Sequence, residues 1–270
     1  MNDRRITPAN ARVALDGYAD TGQVVVSPVA SSVCIPLADL RSGPDGARDR
    51  QLLHGETFDV LEVQDGYAFG IAARDGYVGY IAQSDLGPAV DATHIISVRA
   101  THLYPTDDFK SEAVTSLPFG SRIRVVDERR KYMEIEGGFF VPKPHIRPLD
   151  RPFSDPVTIA QLLFGTPYLW GGNTSFGIDC SGLVQAGLLA SGVSCPGDSD
   201  MQAHLGADAR DGYRRGDLIF WDGHVAMCVD DEVLIHANAY HMAVTYEPIA
   251  KAIARIKAQG DGDVTAHRRL

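Results

Sequence analysis

The junction between a glycine-rich loop and a helix, at residues 167–184, constrains the rest of the chain most. Helical spacing of apolar residues begins at Cys180. Asp179 is a good N-cap, because its carboxylate can accept hydrogen bonds from the first free N–H groups of the helix. The Cys180 sulfur would therefore lie at the positive end of a helix dipole, which favours the nucleophilic thiolate. Buried cysteines more often act as small apolar side chains, so the junction alone does not decide between a catalytic and a structural Cys180.

Three apolar runs separated by turn residues predict three strands downstream, at 216–221, 224–229 and 233–238, and residues 243–246 predict a fourth strand. If the second turn holds three residues, Val229 pairs with Val233. His224 and His236 then lie on the same face of a hairpin, diagonally across the pair, whereas a two-residue turn would separate them. A catalytic thiol needs a base, and the base needs an orienting partner. Cys180, His224 and His236 are therefore the candidate catalytic residues.

Four motifs occur in a fixed order: Tyr-Leu-Trp-Gly-Gly at 168–172, Asp-Cys-Ser-Gly-Leu-Val at 179–184, Gly-Asp-Leu-Ile-Phe at 216–220 and His-Val-Ala at 224–226. In this order they resemble the NlpC family of bacterial cell-wall cysteine peptidases. The resemblance covers about residues 151–257 and implies a reduced papain-like fold with a Cys–His–polar triad. It also implies cleavage between γ-D-glutamyl and a diamino acid in peptidoglycan stem peptides, with the Tyr168 hydroxyl as an oxyanion donor. We expect Trp170 to serve mainly in packing.

Composition excludes several classes of partner. The chain has 25 Lys and Arg against 35 Asp and Glu, a net charge of −10, which argues against nucleic acid and anionic membranes as partners. Four cysteines are too sparse for a disulfide framework. No paired Cys–His spacing predicts a metal site, so we expect no metal and no cofactor. No leader or membrane span is visible, so we expect a cytoplasmic protein; a leader removed from the sequence would instead allow a periplasmic or secreted one.

An internal repeat organises the first half of the chain. Short strands joined by Asp-Gly turns begin near residue 52. The twelve-residue step from Gly55 to Tyr67 recurs from Gly120 to Tyr132, an offset of 65 residues (120 − 55). The repeat resembles the bacterial SH3-like domain, which often precedes NlpC-type domains. The alternative is one larger domain made of two packed hairpins.

The predicted fold class is α+β, with a papain-like NlpC catalytic domain preceded by two small SH3-like β-barrels. We expect an N-terminal extension without regular structure at 1–23, SH3-like domains at 24–90 and 91–150, the peptidase domain at 151–258 and a loose tail at 259–270. Prolines between 142 and 156 predict a stiff linker before the peptidase domain.

The predicted substrate also follows from the resemblance. The paired SH3-like domains and Asp198-Ser199 resemble a subgroup that trims free muropeptides during cell-wall recycling and reads the free amine of L-Ala-γ-D-Glu-diamino acid. A buried acid facing that ammonium discriminates strongly, because the wrong ligand leaves a charge unpaired. The candidate substrate contacts are Asp198 for the amine with its neighbour Ser199, Asp179 and Ser181 near the D-Glu carboxylate, and Tyr77 and Glu56 from the first SH3-like domain. Where the family has Arg before the Asp-Ser pair, this chain has Gly197, which puts any contact of that Arg in doubt.

Other activities stay open at this point. An exported endopeptidase would act on intact murein, and a binding module would hold wall fragments without catalysis. The same fold also supports other acyl transfers. We expect a monomer, although the sequence leaves the oligomeric state and the preferred diamino acid open.

Overall fold

The computed structural model describes residues 3–270, which divide into two compact units. One unit ends at Arg151, and the other runs from Pro152 to Leu270. Within residues 3–270 no helix is both long enough and apolar enough to cross a bilayer.

The first part of the N-terminal unit is built around one twisted sheet. Its strands are β1 (Val13–Leu15), β2 (Val24–Val26), β3 (Val29–Val33), β4 (Leu37–Arg41), β5 (Arg48–Leu53), β6 (Thr57–Gln64), β7 (Tyr67–Ala72), β8 (Val78–Ala82) and β9 (Leu86–Pro88). Seven of them pair in the order β5-β4-β8-β7-β6-β3-β9. Val33, Leu40 and Phe58 belong to the apolar core between them, as period-two alternation requires.

The N-terminal extension has more regular structure than the sequence predicts. β1 pairs in parallel with β2, and Val13 and Ala14 are buried. The first two residues of the predicted extension lie outside the described residues. The prediction of no regular structure is therefore wrong for residues 13–15.

The second part of this unit repeats the element order of the first around its own core. Its strands are β10 (His94–Ile96), β11 (Ala100–Leu103), β12 (Thr115–Pro118), β13 (Arg122–Ile123), β14 (Val125–Glu128), β15 (Tyr132–Ile135), β16 (Phe139–Pro142) and β17 (Ile146–Pro148). A 3-10 turn at Lys143–His145 precedes the last strand, as the turn at Gln83–Asp85 precedes β9. Strands end at Pro142 and Pro148, so the predicted stiff linker is wrong over residues 142–148.

The C-terminal unit is an antiparallel sheet covered by helices. Its elements are α1 (Pro156–Leu162), β18 (Asn173–Thr174), β19 (Gly177–Ile178), α2 (Cys180–Ala190), α3 (Ser199–Gln202), β20 (Ala207–Asp208), β21 (Leu218–Trp221), β22 (His224–Cys228), β23 (Val233–Asn238), β24 (Ala243–Pro248), α4 (Ile249–Gln259) and β25 (Ala266–Arg269). Six strands pair in the order β20-β25-β21-β22-β23-β24.

Both faces of this sheet are buried, which explains its nearly continuous apolar strands. Leu218 and Phe220 pack in a core with α1 and α2, and the alternating Ile219 and Trp221 pack in a second core with α4. Successive side chains of a strand point to opposite faces, so each strand supplies both cores.

Residues 266–269 form a strand, and the prediction of a loose tail at 259–270 is therefore wrong for these residues. β25 lies between β20 and β21 inside the sheet. The buried Asp217 carboxylate accepts hydrogen bonds from His267 (2.7 Å) and from two guanidinium nitrogens of Arg269 (2.8 and 2.7 Å). Polar contacts therefore hold this strand where an apolar pattern is absent.

Candidate active site

The predicted cap of the nucleophile helix is confirmed. Asp179 Oδ1 accepts from the Gly182 amide at 2.7 Å and from the Ser181 hydroxyl at 3.1 Å. Asp179 Oδ2 accepts from the Gly171 amide at 2.9 Å. One carboxylate thus caps α2 and fastens the preceding loop, leaving Cys180 as the first residue of the helix.

Close backbone approach explains the glycines of this loop. A Cβ at Gly172 would lie 2.5 Å from the Gly177 oxygen, and a Cβ at Gly182 would lie 2.5 Å from the Gly172 oxygen. Side chains at these positions would push the loop away from the start of α2. Gly172 and Gly182 therefore shape the surroundings of Cys180.

The four cysteines differ in environment. Cys34 is exposed, whereas Cys195 and Cys228 are buried. Burial raises the pKa of Cys228 to about 12, so this thiol is unreactive near neutral pH. Cys180 is 5% exposed, and it alone of the four begins a helix.

The predicted hairpin register is confirmed. Met227 pairs with Ile235, and the Val229 amide donates to the Val233 oxygen at 2.8 Å, which leaves a three-residue turn. A two-residue shift across this register brings His224 beside His236, as diagonal neighbours on one face.

The two histidines contact each other directly. His224 Nε2 lies 3.0 Å from His236 Nδ1, a hydrogen bond in which one nitrogen donates and the other accepts. Burial lowers the pKa of His224 to about 3, helped by the neighbouring His236 and Arg255. Burial likewise lowers the pKa of His236. Both rings are therefore neutral near pH 7, and one of them can take up a proton.

An ion pair that the sequence reading missed lies behind the histidines. His236 Nε2 is 3.2 Å from Glu247 Oε2, although this approach is off the line of a well-formed hydrogen bond. Arg255 donates to both oxygens of Glu247, at 3.0 and 2.8 Å. Burial would raise the pKa of Glu247, but the contacts with His236 and Arg255 outweigh it and lower that pKa to about 2.

A signal for Glu247 was present in the sequence. The predicted fourth strand ended at Tyr246, whereas the strand runs to Pro248. His236 pairs with Thr245, so period two places Glu247 diagonally beside His236 on the same face. A predicted strand that was one residue longer would have included Glu247.

A groove of about 550 Å³ opens beside this network, lined in part by His224, Tyr168, Asn238, Tyr240 and Arg255. The Tyr168 backbone bridges to Ile178, two residues before Cys180, and the Tyr168 amide donates to the Met242 oxygen at 2.9 Å. Tyr168 thus connects the glycine-rich loop before Cys180 with the edge of the sheet that carries His224 and His236. α2 itself packs against β22 and β23.

Trp170 differs from the expectation of a packing residue. The side chain is 69% exposed at the edge of the glycine loop. Trp221 is instead the tryptophan that is buried in the core of the C-terminal unit.

The segment carrying Asp198 and Ser199 is fastened to the nucleophile helix. The buried Gln202 donates from Nε2 to the Ser181 oxygen at 2.9 Å and to the Pro196 oxygen at 3.0 Å. Asp198 is the N-cap residue of α3 by backbone position, but its carboxylate does not make the cap hydrogen bond. The two bonds of Gln202 therefore hold the Asp198 segment close to the start of α2.

The two candidate residues of the N-terminal unit are both buried. Glu56 accepts from the Leu53 amide and from Arg74, each at 2.8 Å, inside the first part of the N-terminal unit. Tyr77 packs in the same apolar core as Phe58. Their contact with substrate stays a prediction.

One group of three possible metal ligands, His236, His241 and Glu247, occurs among residues 3–270. Arg255 already donates to both oxygens of Glu247, and this positive charge opposes a divalent cation at the same carboxylate. The expected absence of a metal stays a prediction.

Comparison with known proteins assigns the family of the C-terminal unit. Residues 165–258 match the model of the NlpC/P60 family. These residues form an NlpC/P60 domain. Residues 40–86 match the bacterial dipeptidyl-peptidase Sh3 domain, so an SH3-like domain precedes the NlpC/P60 domain.

Two curated relatives carry the same name, γ-D-glutamyl-L-lysine dipeptidyl-peptidase. The Bacillus cereus protein is 25% identical over 65% of this chain and 61% of its own length. The Bacillus subtilis protein is 28% identical over 72% of this chain and 73% of its own length. The match thus spans less than two thirds of the length of the Bacillus cereus relative.

A solved structure shares the fold of this chain. An NlpC/P60 family protein from Bacillus cereus ATCC 10987 aligns with a TM-score of 0.75 and 18% identity, covering 89% of this chain and 99% of that one. The predicted NlpC domain and one SH3-like domain are confirmed. The second SH3-like barrel and the papain-like description of the NlpC/P60 domain stay predictions.

Proposed function

We propose that the protein is a cysteine peptidase that hydrolyses the γ-D-glutamyl–diamino acid bond of free peptidoglycan stem peptides. The NlpC/P60 domain supports a peptidase acting on peptidoglycan-derived peptides. The observation that carries the proposal is the 3.0 Å contact between His224 and His236 on strands that pack against the helix begun by Cys180.

The proposed reaction is acyl transfer through a thioester. Cys180 gives its proton to His224 and attacks the carbonyl carbon, and the resulting oxyanion accepts from the Cys180 amide and the Tyr168 hydroxyl. His224 then donates that proton to the leaving amine, which breaks the C–N bond. It next takes a proton from the water that attacks the thioester and returns this proton to the Cys180 sulfur as the C–S bond breaks. His236 keeps the His224 ring in the productive tautomer.

The proposed substrate has a free amino terminus. The names of the two Bacillus relatives include both the γ-D-glutamyl bond and the word dipeptidyl-peptidase, which fits removal of an L-Ala-D-Glu unit from that end. Asp198 is the proposed partner of the substrate ammonium, with Ser199 beside it. Its place next to the Gln202 contacts with α2 supports this assignment. The cytoplasmic location expected from the sequence stays a prediction.

Hydrolysis of defined tripeptides tests the proposal. We expect mass spectrometry to show release of L-Ala-D-Glu from L-Ala-γ-D-Glu-L-Lys or its diaminopimelate analogue. Cys180→Ala should lower the rate by at least about 10³-fold. Cys34→Ala, which removes the exposed thiol of the other unit, is the matched control and should keep the rate.

Acetylation of the alanine amine separates the alternatives. We expect the acetylated peptide to be cut far more slowly, because the acid that binds the ammonium is then left without its partner. Equal cleavage of both peptides, together with cleavage of whole sacculi, would favour the endopeptidase on intact murein. No cleavage of any stem peptide would favour a binding module.

A further inference from the structure

The chain of contacts from His224 continues beyond the proposed triad to a buried ion pair. His236 has its side chain fully buried, with Nδ1 hydrogen-bonded to His224 and Nε2 at 3.2 Å from Glu247 Oε2. Glu247 is held by a two-bond contact with Arg255 of α4. Arg255 in turn lies 4.7 Å over the Tyr240 ring and donates to Gln259 at 2.7 Å.

We propose that Glu247 is a positioning residue for the peptidase reaction proposed above, fixing the tautomer of His236 and supporting the positive charge that develops on the two histidines. The inference rests on the proposed function for its chemistry. Its evidence is the geometry of the Glu247 contacts, which reach beyond the three residues of the triad.

The tautomer argument begins at the carboxylate. An ionised Glu247 only accepts hydrogen bonds, so its oxygen at 3.2 Å favours the His236 tautomer with the proton on Nε2. His236 Nδ1 is then the acceptor for a proton on His224 Nε2. The remaining ring nitrogen of His224, Nδ1, is left without a proton and can receive one from Cys180. If the hydrogen bonds ran in the opposite direction, His224 Nδ1 would carry a proton and could not act as a base.

The charge argument concerns the step after proton transfer. When His224 takes up a proton, its positive charge lies beside the neutral ring of His236. A negative group on the far side of His236 is then needed to stabilise that charge. Glu247 is the carboxylate within 3.2 Å of the His236 ring. Arg255 reduces the effect of Glu247, so that the histidines stay neutral in the resting enzyme and gain support only as positive charge develops.

The competing explanation is that Glu247 and Arg255 only tie β24 to α4. The two explanations differ in the sign of an electrostatic effect. Loss of either partner breaks the tie and lowers stability. Loss of Glu247 removes a negative charge beside the histidines, whereas loss of Arg255 removes a positive one.

Alkylation of Cys180 by iodoacetamide shows, without a substrate, whether each substitution makes the thiolate harder or easier to form. The rate is followed between pH 4 and 9 by mass spectrometry of the Cys180 peptide, because Cys34 is exposed and also reacts. In Glu247→Gln we expect the alkylation midpoint to rise by about 0.5 pH unit or more, since the imidazolium that supports the thiolate is less stable. In Arg255→Gln we expect it to fall, although both variants lose thermal stability.

Kinetics give the second readout. Glu247→Gln should lower kcat on the tripeptide by about 10- to 100-fold with KM little changed, since the loss affects the transition state. Glu247→Asp, which restores the charge on a shorter side chain, should recover part of that rate. Arg255→Gln should change kcat by less than about tenfold.

Asp217→Asn is the matched control, because it also converts a buried carboxylate that binds an arginine of the same sheet. It should lower stability and leave the Cys180 alkylation midpoint unchanged. Equal or absent shifts in Glu247→Gln and Arg255→Gln would overturn the proposal and leave a structural tie. If Glu247→Gln does not fold, the direction of the Arg255→Gln shift decides alone. Opposite shifts without tripeptide cleavage would instead refute the proposed function and keep the positioning role.

Discussion

At the scale of single residues, the position of the nucleophile depends on one carboxylate. Asp179 caps α2 with one oxygen and holds the Gly171 amide with the other. Its neighbour Ser181 also donates to it. A change at Asp179 therefore acts on the helix end and on the loop at once, whereas most caps serve a helix alone.

We predict that Asp179→Ala lowers both stability and activity. Loss of the cap should reduce the free energy of unfolding by about 1–2 kcal/mol, measured by urea denaturation. The freed loop should lower kcat at least tenfold, because the Cys180 amide and sulfur lose their fixed position. Asp155→Ala is the control, since Asp155 caps α1 through the Val157 amide at 3.0 Å. Equal loss of activity in both variants would contradict a specific role of Asp179.

At the scale of elements, β25 is held in the sheet by charge more than by apolar burial. Its four residues, Ala266–Arg269, are all partly exposed, and Arg269 reaches the buried Asp217 and the exposed Asp211. The side-chain contacts of Arg269 raise its pKa and lower that of Asp217 despite its burial.

We predict that Arg269→Ala destabilises the C-terminal unit by about 2–4 kcal/mol, because the buried Asp217 carboxylate loses its guanidinium partner and keeps hydrogen bonds from only the His267 ring and the Arg214 amide. Thermal unfolding and limited proteolysis measure the effect. Arg268→Ala removes a neighbouring contact to the exposed Asp208 and should cost less than about 1 kcal/mol. Similar losses in the two variants would show that Asp217 does not need Arg269.

The sequence predicts the central elements of the site for clear physical reasons. The capped start of α2 and the three-residue turn between β22 and β23 follow from local rules on caps and on period-two alternation. β25 escapes such rules, since its Ala-His-Arg-Arg sequence has no apolar alternation and its partner Asp217 is about fifty residues away. Glu247 was missed by one residue of strand length.

At the scale of the whole molecule, histidines with a lowered pKa occur in both units. Burial lowers the pKa of His54, His94 and His145 in the first unit, and of His224 and His236 in the second. An unfolded chain returns each of them to its ordinary pKa of about 6.5. Below that pH the unfolded state binds more protons than the folded state, so stability falls as the pH falls.

We predict that the free energy of unfolding decreases by at least about 2 kcal/mol between pH 7 and pH 5. Glu247 and Asp217, whose pKa values are lowered, contribute only below about pH 4.5, so this window belongs to the histidines. Urea denaturation at half-unit pH steps measures the slope. His224→Gln should reduce it, and a flat profile above pH 5 would show that the histidines titrate normally in the folded protein.

The place of β25 has a consequence for how the protein is made. Residues 266–269 insert between β20 and β21, two strands that precede them in the chain by some fifty residues or more. While the ribosome is still translating them, β21 has no strand on that side, β20 has no strand to pair with, and Asp217 has neither Arg269 nor His267. Completion of the sheet must wait until these codons are read and their residues emerge from the exit tunnel.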